Sequence, residues 1–527
     1  MSARDESSRG ARGAAWRGAL AGIASAALLF GTAQLLSIFF GPASTPFAAV
    51  GSTFIDFTPA WLKDFAIAAF GTNDKTALLV AMAVVAAAAS AALGVLALKR
   101  PRTANVLVLA AAVAMAACIL TRSGAGPLDI LPLAVGTAAA LWALRMLTEQ
   151  AVEAARPGPA ARADQAQQPG NPSRRAFLAG SAAVAGAAVV LGLAGTLLNR
   201  TRTVVNNVRA SLRLPAPHTT APALPEGVQS PVAGVVPFTT PNGDFYRIDT
   251  ALVPPEVDPG TWELRVHGMV EQEFTMGFDE LLAQELTEAQ VTLACVSNEV
   301  GGNLVGNATW LGLPLREVLA RARPLPGADM VLSTSVDGFT ASTPLPVLQD
   351  GRNALLAVGM NGEPLPVEHG FPVRMVVPGL YGYVSATKWV VELEVTTFAQ
   401  QTAYWTSRGW SSHGPVKTAS RIEVPRGGAQ VPAGKVALGG SAWAQHRGIS
   451  KVEVQLDGGP WLGAQLAAEA SLDTWRQWSF IWDGATAGSH TARVRAYDSA
   501  GALQVSADAP PAPDGATGWH SVGFTVA

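Results

Sequence analysis

The chain has 527 residues, room for several domains, and its composition changes partway: about 200 residues rich in Ala, Leu and Val precede a Pro- and Gly-rich remainder. A formal net charge of −2 without a basic stripe excludes a nucleic-acid binder. Of only two cysteines, Cys118 lies in an apolar run and Cys295 far downstream, which excludes a disulfide framework, iron–sulfur clusters and c-type haem.

Crossing a bilayer as a helix takes about 20 mainly apolar residues. Five stretches qualify: 16–40, 76–98, 104–121, 128–147 and 176–198. Segment 47–70 is apolar but broken by Asp56, Pro59, Lys63 and Asp64, and it reads as an interfacial helix rather than a sixth span. Positive charge gives the orientation. Arg4, Arg9, Arg12 and Arg17 precede the first span; Lys99, Arg100 and Arg102 separate the second and third; Arg156, Arg162, Arg174 and Arg175 lie between the fourth and fifth. The alternate loops hold only Lys63, Lys75 and Arg122. The N-terminus is therefore expected in the cytoplasm of a cell with a multi-pass plasma-membrane anchor, and everything after about residue 199 on the far side. The fifth span opens on Ser173-Arg174-Arg175-Ala176-Phe177-Leu178, which resembles a twin-arginine export signal; the plainer reading is a cytoplasmic flank. The seven histidines begin at His218, so the spans hold no histidine pair for haem and read as an anchor or docking surface.

Residues 201–236 are rich in Pro, Thr and Ala, lack periodicity, and read as a tether on the membrane surface. An α+β domain is expected over 237–412. Trp262-Glu263-Leu264-Arg265-Val266 and Trp389-Val390-Val391-Glu392-Leu393-Glu394-Val395 alternate as strands do, and Phe278-Asp279-Glu280-Leu281-Leu282 and 314–321 read as short helices. Residues 413–527 hold closely spaced strand-like runs at 451–456, 475–482 and 491–496, with a turn signal at Asp457-Gly458-Gly459. They predict an immunoglobulin-like β-sandwich without cysteines. The expected fold is multi-domain: an N-terminal α-helical transmembrane bundle (1–200), a linker (201–236), an α+β domain (237–412) and a β-sandwich (413–527).

Cys295 is the only cysteine of the downstream half. A lone cysteine is ordinarily a small buried hydrophobe, whereas a thiolate suits a soft, redox-active metal. Its surroundings weigh toward the metal. Thr292-Leu293-Ala294-Cys295-Val296-Ser297-Asn298-Glu299-Val300-Gly301-Gly302 runs on to Asn307-Ala308-Thr309-Trp310-Leu311-Gly312-Leu313-Pro314-Leu315. Upstream stands Phe245-Tyr246-Arg247-Ile248-Asp249. Downstream come Asp337-Gly338-Phe339-Thr340, Gly362-Glu363-Pro364-Leu365-Pro366, His369-Gly370-Phe371-Pro372-Val373-Arg374, Val377-Pro378-Gly379, Tyr381-Gly382 and Lys388-Trp389. These ordered blocks resemble the molybdenum-pterin domain of the sulfite oxidase family, and the resemblance covers about 237–527 if the sandwich, similar to that family's dimerisation domain, is counted.

The resemblance implies a molybdenum–molybdopterin cofactor with Cys295 as the metal's protein ligand. It places Tyr246, Arg247, Asn298, Asp337, His369, Arg374, Ser385 and Lys388 around the pterin and its phosphate. Arg374 and Lys388 would supply compensating charge, Arg the better bidentate partner, and His369 a hydrogen bond. Arg247 falls where the family sets an arginine near the metal. Two departures matter. The family follows its cysteine with A-G-N-R-R, whereas Asn298 is followed here by Glu299-Val300-Gly301. The family's active-site tyrosine aligns with Trp410 of Tyr404-Trp405-Thr406-Ser407-Arg408-Gly409-Trp410, which leaves Tyr404 or Tyr383 as the substitute and Arg408 as a replacement cation. Arg247, Tyr404 and Arg408 are thus the catalytic candidates. No H-P-G-G haem segment is present, so electrons are expected to pass to an external cytochrome or quinone-linked protein. Export through a pathway for folded proteins suits a domain that is loaded with a complex cofactor first. The implied activity is oxygen-atom transfer on a small oxyanion such as sulfite. The alternatives are a sulfoxide or N-oxide reductase on the same scaffold and, in another class, a non-enzymatic surface binding protein. The membrane and a second copy joined through the sandwich complete the expected partners.

Overall fold

The computed structural model describes residues 3–40, 44–59, 62, 65, 69–70, 74–122, 125–154, 172–197 and 200–527. The chain divides into two units, Met1–Val204 with Thr250–Pro254, and Val205–Asp249 with Pro255–Ala527.

Runs dominated by Ala and Leu, with Val interspersed and proline confined to the first turn, propagate as long helices. In the first unit they form α1 (Ala3–Leu36), α2 (Pro46–Phe57), α3 (Asp74–Lys99), α4 (Pro101–Leu120), α5 (Leu131–Glu153) and α6 (Pro172–Leu197). Among the described residues, five helical stretches are long and apolar enough to cross a membrane: Gly13–Phe39, Lys75–Lys99, Pro101–Leu120, Pro127–Glu153 and Arg175–Gly195. Small residues let their backbones approach. A Cβ on Gly22 would lie 1.9 Å from the Ser90 carbonyl oxygen, and one on Gly94 would lie 2.0 Å from that of Gly18. The outward surface is apolar, with Val84, Val85, Val113, Trp142, Val190 and Leu193 all exposed. Helix α2, at 12 residues, spans about 18 Å and is too short to cross. The Lys63 and Asp64 interruptions lie outside the described residues, as do Arg156 and Arg162.

Helix α7 (Arg200–Ser211) carries the chain across the boundary between the units, and an extended course follows it. The stretch 201–236, read above as a tether without periodicity, opens instead inside helix α7, and residues 212–236 are bound along much of their length. The His218 N–H donates to Leu286 O at 2.8 Å and the Glu288 N–H donates to Thr219 O at 2.8 Å. The Ser230 N–H donates to Gln477 Oε1 at 2.7 Å, and Val232 and Val235 are buried. The reason is that proline-rich extended chain has no internal ladder, so its backbone groups turn to neighbouring strands.

The strands that follow are β1 (Glu263–Gly268), β2 (Phe274–Gly277), β3 (Thr287–Ala294), β4 (Val305–Pro314), β5 (Met330–Ser335), β6 (Thr340–Pro344), β7 (Leu355–Met360), β8 (Glu363–Pro364), β9 (Arg374–Val376) and β10 (Val390–Thr396). They are joined by helices α8 (Phe278–Leu282), α9 (Leu315–Ala322) and α10 (Leu345–Gln349). One sheet runs β2-β1-β10-β5-β6, with only β1 and β10 parallel; the other runs β3-β4-β7-β8, with β9 paired to β7. Leu264, Val266, Leu393 and Val395 are fully buried on the inner face of the first sheet, each contributing roughly 2 kcal/mol by area. Strand β4, central in its sheet, is buried over nearly its whole length.

The remaining strands, β11 (Ala419–Val424), β12 (Gln430–Val431), β13 (Gly434–Trp443), β14 (Ile449–Leu456), β15 (Trp461–Gly463), β16 (Gln465–Leu466), β17 (Arg476–Ala485), β18 (Gly488–Asp498) and β19 (Ser521–Val526), form two sheets ordered β11-β13-β17-β16 and β12-β19-β18-β14-β15. Asp457 and Gly458, with φ of 49° and 71°, make the tight turn between β14 and β15 that their sequence predicts. Trp478, Leu438, Val452 and Val494 lie in the core between the sheets.

Candidate active site

Strand β3 ends at Ala294 and delivers Cys295, 8 % exposed, at the start of the loop to β4. The Cys295 N–H donates to Leu304 O at 2.9 Å, and its carbonyl accepts the Asn298 N–H at 3.1 Å. Asn298 Oδ1 accepts the Leu304 N–H at 2.8 Å, so this side chain closes the loop on itself. Burial pushes the Cys295 thiol up, while hydrogen bonds from Ser297 and the charge of Lys388 pull it down.

Three cations gather on the segments that face this loop. Arg374 opens β9 and is 4 % exposed, yet its polar partners are neutral carbonyls: His369 O at 3.0 Å, Met375 O at 3.3 Å and Ala386 O at 3.5 Å. Its guanidinium lies 5.0 Å from the Trp310 ring centroid. Burial lowers its pKa to about 10. Lys388 is also buried and donates to Asp249 Oδ2 and to Glu368 O, both at 3.0 Å. Burial lowers its pKa to about 8 against the opposing pull of Asp249. Arg247 Nε donates to the same Asp249 Oδ2 at 3.0 Å. Two backbone features make this crowding possible. Gly370, at φ 112°, brings the His369 turn so close that a Cβ would lie 2.9 Å from Arg374 Cβ and 3.2 Å from Lys388 Cα. Trp389 adopts φ 50°, an outlier for a bulky residue, and its indole N–H donates to Val367 O at 2.9 Å.

Tyr246 stacks on Phe245, with ring centroids 5.2 Å apart. Burial drives its phenol far above the ordinary range. A Cβ on Gly382 would lie 4.0 Å from the Tyr246 hydroxyl and 3.9 Å from Ala294 O, which places this tyrosine at the end of the cysteine strand. His369, nearly fully buried, has Nε2 3.1 Å from Asn242 O. A carbonyl partner requires the proton on Nε2, leaving Nδ1 as a bare acceptor. Burial, Lys388 and Arg374 together lower this imidazole to about 3, so it is neutral.

Two buried polar atoms of the cluster have no hydrogen-bond partner: His369 Nδ1, an acceptor, and Arg247 Nη2, a donor. Native interiors rarely leave such groups unmatched. With a buried guanidinium hydrogen-bonded to carbonyls, they describe a cluster suited to an anionic group that both donates and accepts hydrogen bonds. Among the described residues no group of three His, Cys, Asp or Glu side chains is placed to hold a metal, so a metal at Cys295 takes further ligands from a non-protein group. The residues fit a molybdenum-bearing pterin phosphate.

The other expected residues stand differently. Ser385 is buried, and its hydroxyl donates to Tyr381 O at 2.9 Å, bracing the turn Gly382–Val384. Asp337 sits at the β5–β6 tip, where Oδ1 accepts the Phe339 N–H at 3.2 Å. Tyr404 belongs with that hairpin: its N–H donates to Thr340 Oγ1 at 3.0 Å, and its ring lies 5.8 Å from Phe339. Arg408 packs on Tyr404, 3.6 Å above the ring, and donates to Tyr404 O at 2.8 Å. The hydroxyl of Tyr383 donates to Ser411 O at 2.8 Å, and Trp410 is buried beside it at 5.9 Å. Tyr404 and Arg408 thus pack together against the β5–β6 hairpin, whose tip bears Asp337. Sequence reasoning missed Asp249 and Asn242. The Arg247-Ile248-Asp249 spacing, which puts opposite charges on one face of extended chain, was a signal for the first; a backbone carbonyl gives none for the second.

The family profile described as Oxidoreductase molybdopterin binding domain matches residues 251–405, and that described as Bacterial Ig domain matches residues 420–494. Mitochondrial sulfite oxidase of Mus musculus is 31% identical over 288 residues, which cover 46% of this chain and 52% of that protein. The uncharacterized oxidoreductase YuiH of Bacillus subtilis (strain 168) is 31% identical over 190 residues, covering 35% of this chain and 91% of that protein. The chain therefore spans about half the length of the sulfite oxidases it matches and nearly all of YuiH. The solved sulfane dehydrogenase SoxCD from Paracoccus pantotrophus aligns over 59% of this chain and 91% of its own, at 23% identity and a TM-score of 0.49, a likeness too weak to build on. The chain belongs to the sulfite oxidase family of molybdopterin-binding oxidoreductases, and as an enzyme of that type it works with the molybdenum cofactor.

Proposed function

We propose that this protein is a membrane-anchored oxidoreductase whose catalytic unit works outside the cytoplasm and oxidises a small oxyanion such as sulfite. Sulfite and water would yield sulfate, two protons and two electrons, the electrons leaving singly to a separate cytochrome or quinone-linked carrier. The observation that carries the reading is the cluster of cations beside Cys295, with the unmatched Arg247 Nη2 and His369 Nδ1. When bound, the cofactor supplies the oxygen-atom transfer and the two-electron change. Cys295 holds the metal. Arg374 and Lys388 balance the phosphate, and His369 Nδ1 accepts from the pterin. Tyr246 closes one wall, while Asn298 and Ser385 fix the turns on which the group rests. Arg247 draws the oxyanion. The half-exposed Arg408, held over Tyr404, is the candidate for guiding substrate inward.

The membrane reading rests on the outward-facing apolar side chains and on the arginines flanking alternate spans. Arg122, on the side expected to be extracytoplasmic, is neutralised by Asp56 at 2.8 Å. In the first turns of α6, Arg175 is exposed and Phe177 is buried against Trp16, an arrangement compatible with export recognition. A second substrate class, a neutral sulfoxide or N-oxide that would be reduced, is favoured by two features: Asp249 offsets part of the cluster's positive charge, and Glu299 occupies a place where the family carries basic residues.

The test is the purified full chain, assayed for molybdenum content, for sulfite-dependent reduction of ferricyanide, and for sulfoxide-dependent oxidation of reduced viologen. Molybdenum with sulfite turnover supports the primary reading. Molybdenum with sulfoxide turnover alone replaces it with the second, and a protein without molybdenum overturns both.

A further inference from the structure

The segment bearing Cys295 is gripped on both sides by the C-terminal sandwich. Three residues before the cysteine, Thr292 makes three bonds to it: its N–H donates to Asp473 O at 2.9 Å, its hydroxyl accepts the Trp475 N–H at 2.8 Å, and its carbonyl accepts from Gln445 Nε2 at 3.0 Å. After the cysteine, Arg421 Nη1 donates to Gly302 O at 2.9 Å. Arg421 is itself buried, pairs with the buried Glu423 at 2.7 Å, and lies 5.7 Å from the Trp475 ring centroid. Beside it, His520 fills the space over Gly301, where a Cβ would come within 2.2 Å of the imidazole Nε2. The ring is fixed from behind, because the Ile422 N–H donates to Nδ1 at 3.0 Å. Gly301 takes φ 78°, a conformation that favours glycine, so this approach is built into the loop.

We propose that Arg421 and His520 are positioning residues for the metal loop, so that the sandwich helps set the coordination geometry at Cys295 from within the same chain. The inference rests on the reading of Cys295 as the metal's ligand. A buried, charge-paired guanidinium and a hydrogen-bonded ring have little freedom to move, and a loop tied to both inherits that rigidity. Neither residue is one of the cations clustered beside Cys295; Arg421 acts through Gly302 and His520 through Gly301.

The experiment uses the full-length, cofactor-loaded protein with two substitutions. His520→Asn keeps an acceptor for the Ile422 N–H but removes the ring over Gly301. Arg421→Lys keeps the charge but loses the planar fork. The readouts are molybdenum and pterin content, the electron paramagnetic resonance spectrum of the Mo(V) state, and amide exchange at Gly302 and Leu304. Expected are cofactor contents within about twofold of the parent, shifted Mo(V) g-values, and exchange at those amides faster by about tenfold. Unchanged g-values in the loaded His520→Asn protein would overturn the positioning role, even if Arg421→Lys failed to fold. A parent protein without molybdenum would overturn this inference together with the reading of Cys295.

Discussion

Arg247 and Lys388 hold the same carboxylate oxygen, Asp249 Oδ2, each at 3.0 Å. The carboxylate is nearly fully buried, so removing its charge leaves two cations facing each other in a poor solvent for ions. Lys388 can shed its proton, since its pKa is already lowered to about 8, and this limits the cost. Asp249→Asn is expected to destabilise the cofactor-free protein by about 3 kcal/mol, the low end for breaking a buried ion pair. In the loaded enzyme it should lower KM for an anionic substrate, as Arg247 is released. Urea unfolding and steady-state kinetics check the two effects. An unchanged unfolding midpoint would show the pairing to be energetically idle.

Cys295 and Arg374 are expected to fail in opposite ways. A serine oxygen is harder than a thiolate and largely protonated at neutral pH, so Cys295→Ser should keep much of the bound pterin and lose nearly all turnover. Arg374→Ala removes a buried cation whose remaining partners are carbonyls, and should lower cofactor content more than activity per molybdenum. Metal and pterin analysis beside activity in both variants decides. Full activity per metal in Cys295→Ser would return the cysteine to a packing role.

His369 predicts a pH dependence. In the unfolded chain its imidazole titrates near 6.5, whereas in the fold it stays neutral down to about 3. The unfolded state therefore binds the proton first as pH falls, and stability present above 6.5 is lost progressively between 6.5 and 3. The contribution is at most about 1.4 kcal/mol per pH unit. The cofactor-free parent should lose stability between pH 7 and 5 more steeply than His369→Gln. Parallel profiles for the two proteins would mean the histidine is reached by solvent.

Export and topology can be read separately. A reporter fused after Gln168 should be cytoplasmic and one after Pro225 extracytoplasmic, because the arginines cluster on one side of five spans. Replacing Arg174 and Arg175 by lysine preserves that charge but should block translocation of the folded unit. Both reporters on one side would sink the topology, and normal export of the double-lysine protein would reduce the pair to a flank.

Much of this was legible in the residues because local rules governed them. The alternation from Val390 to Val395 became β10, and Asp457-Gly458 made its turn. The ordered blocks around Cys295 marked the cofactor domain. What stayed hidden depends on partners distant in sequence. Asp249 acquires its meaning from Lys388, 139 positions away, and Thr292 from Trp475, 183 positions away. Residues 212–236 carry no period because their neighbours, not their own ladder, satisfy them.

Strand β3 lies at the edge of its sheet, yet little of that edge is open. The proline-rich strap covers its beginning through Thr219, and the sandwich covers its end through Asp473 and Trp475. An uncovered edge is a template on which strangers can add strands. One half of the cover is made before β3 during synthesis, and the other only about 180 residues after it. At a ribosomal pace of about 5–20 residues per second, the strand that leads into the cysteine stays adhesive for roughly ten to forty seconds, an interval in which a chaperone has something to hold.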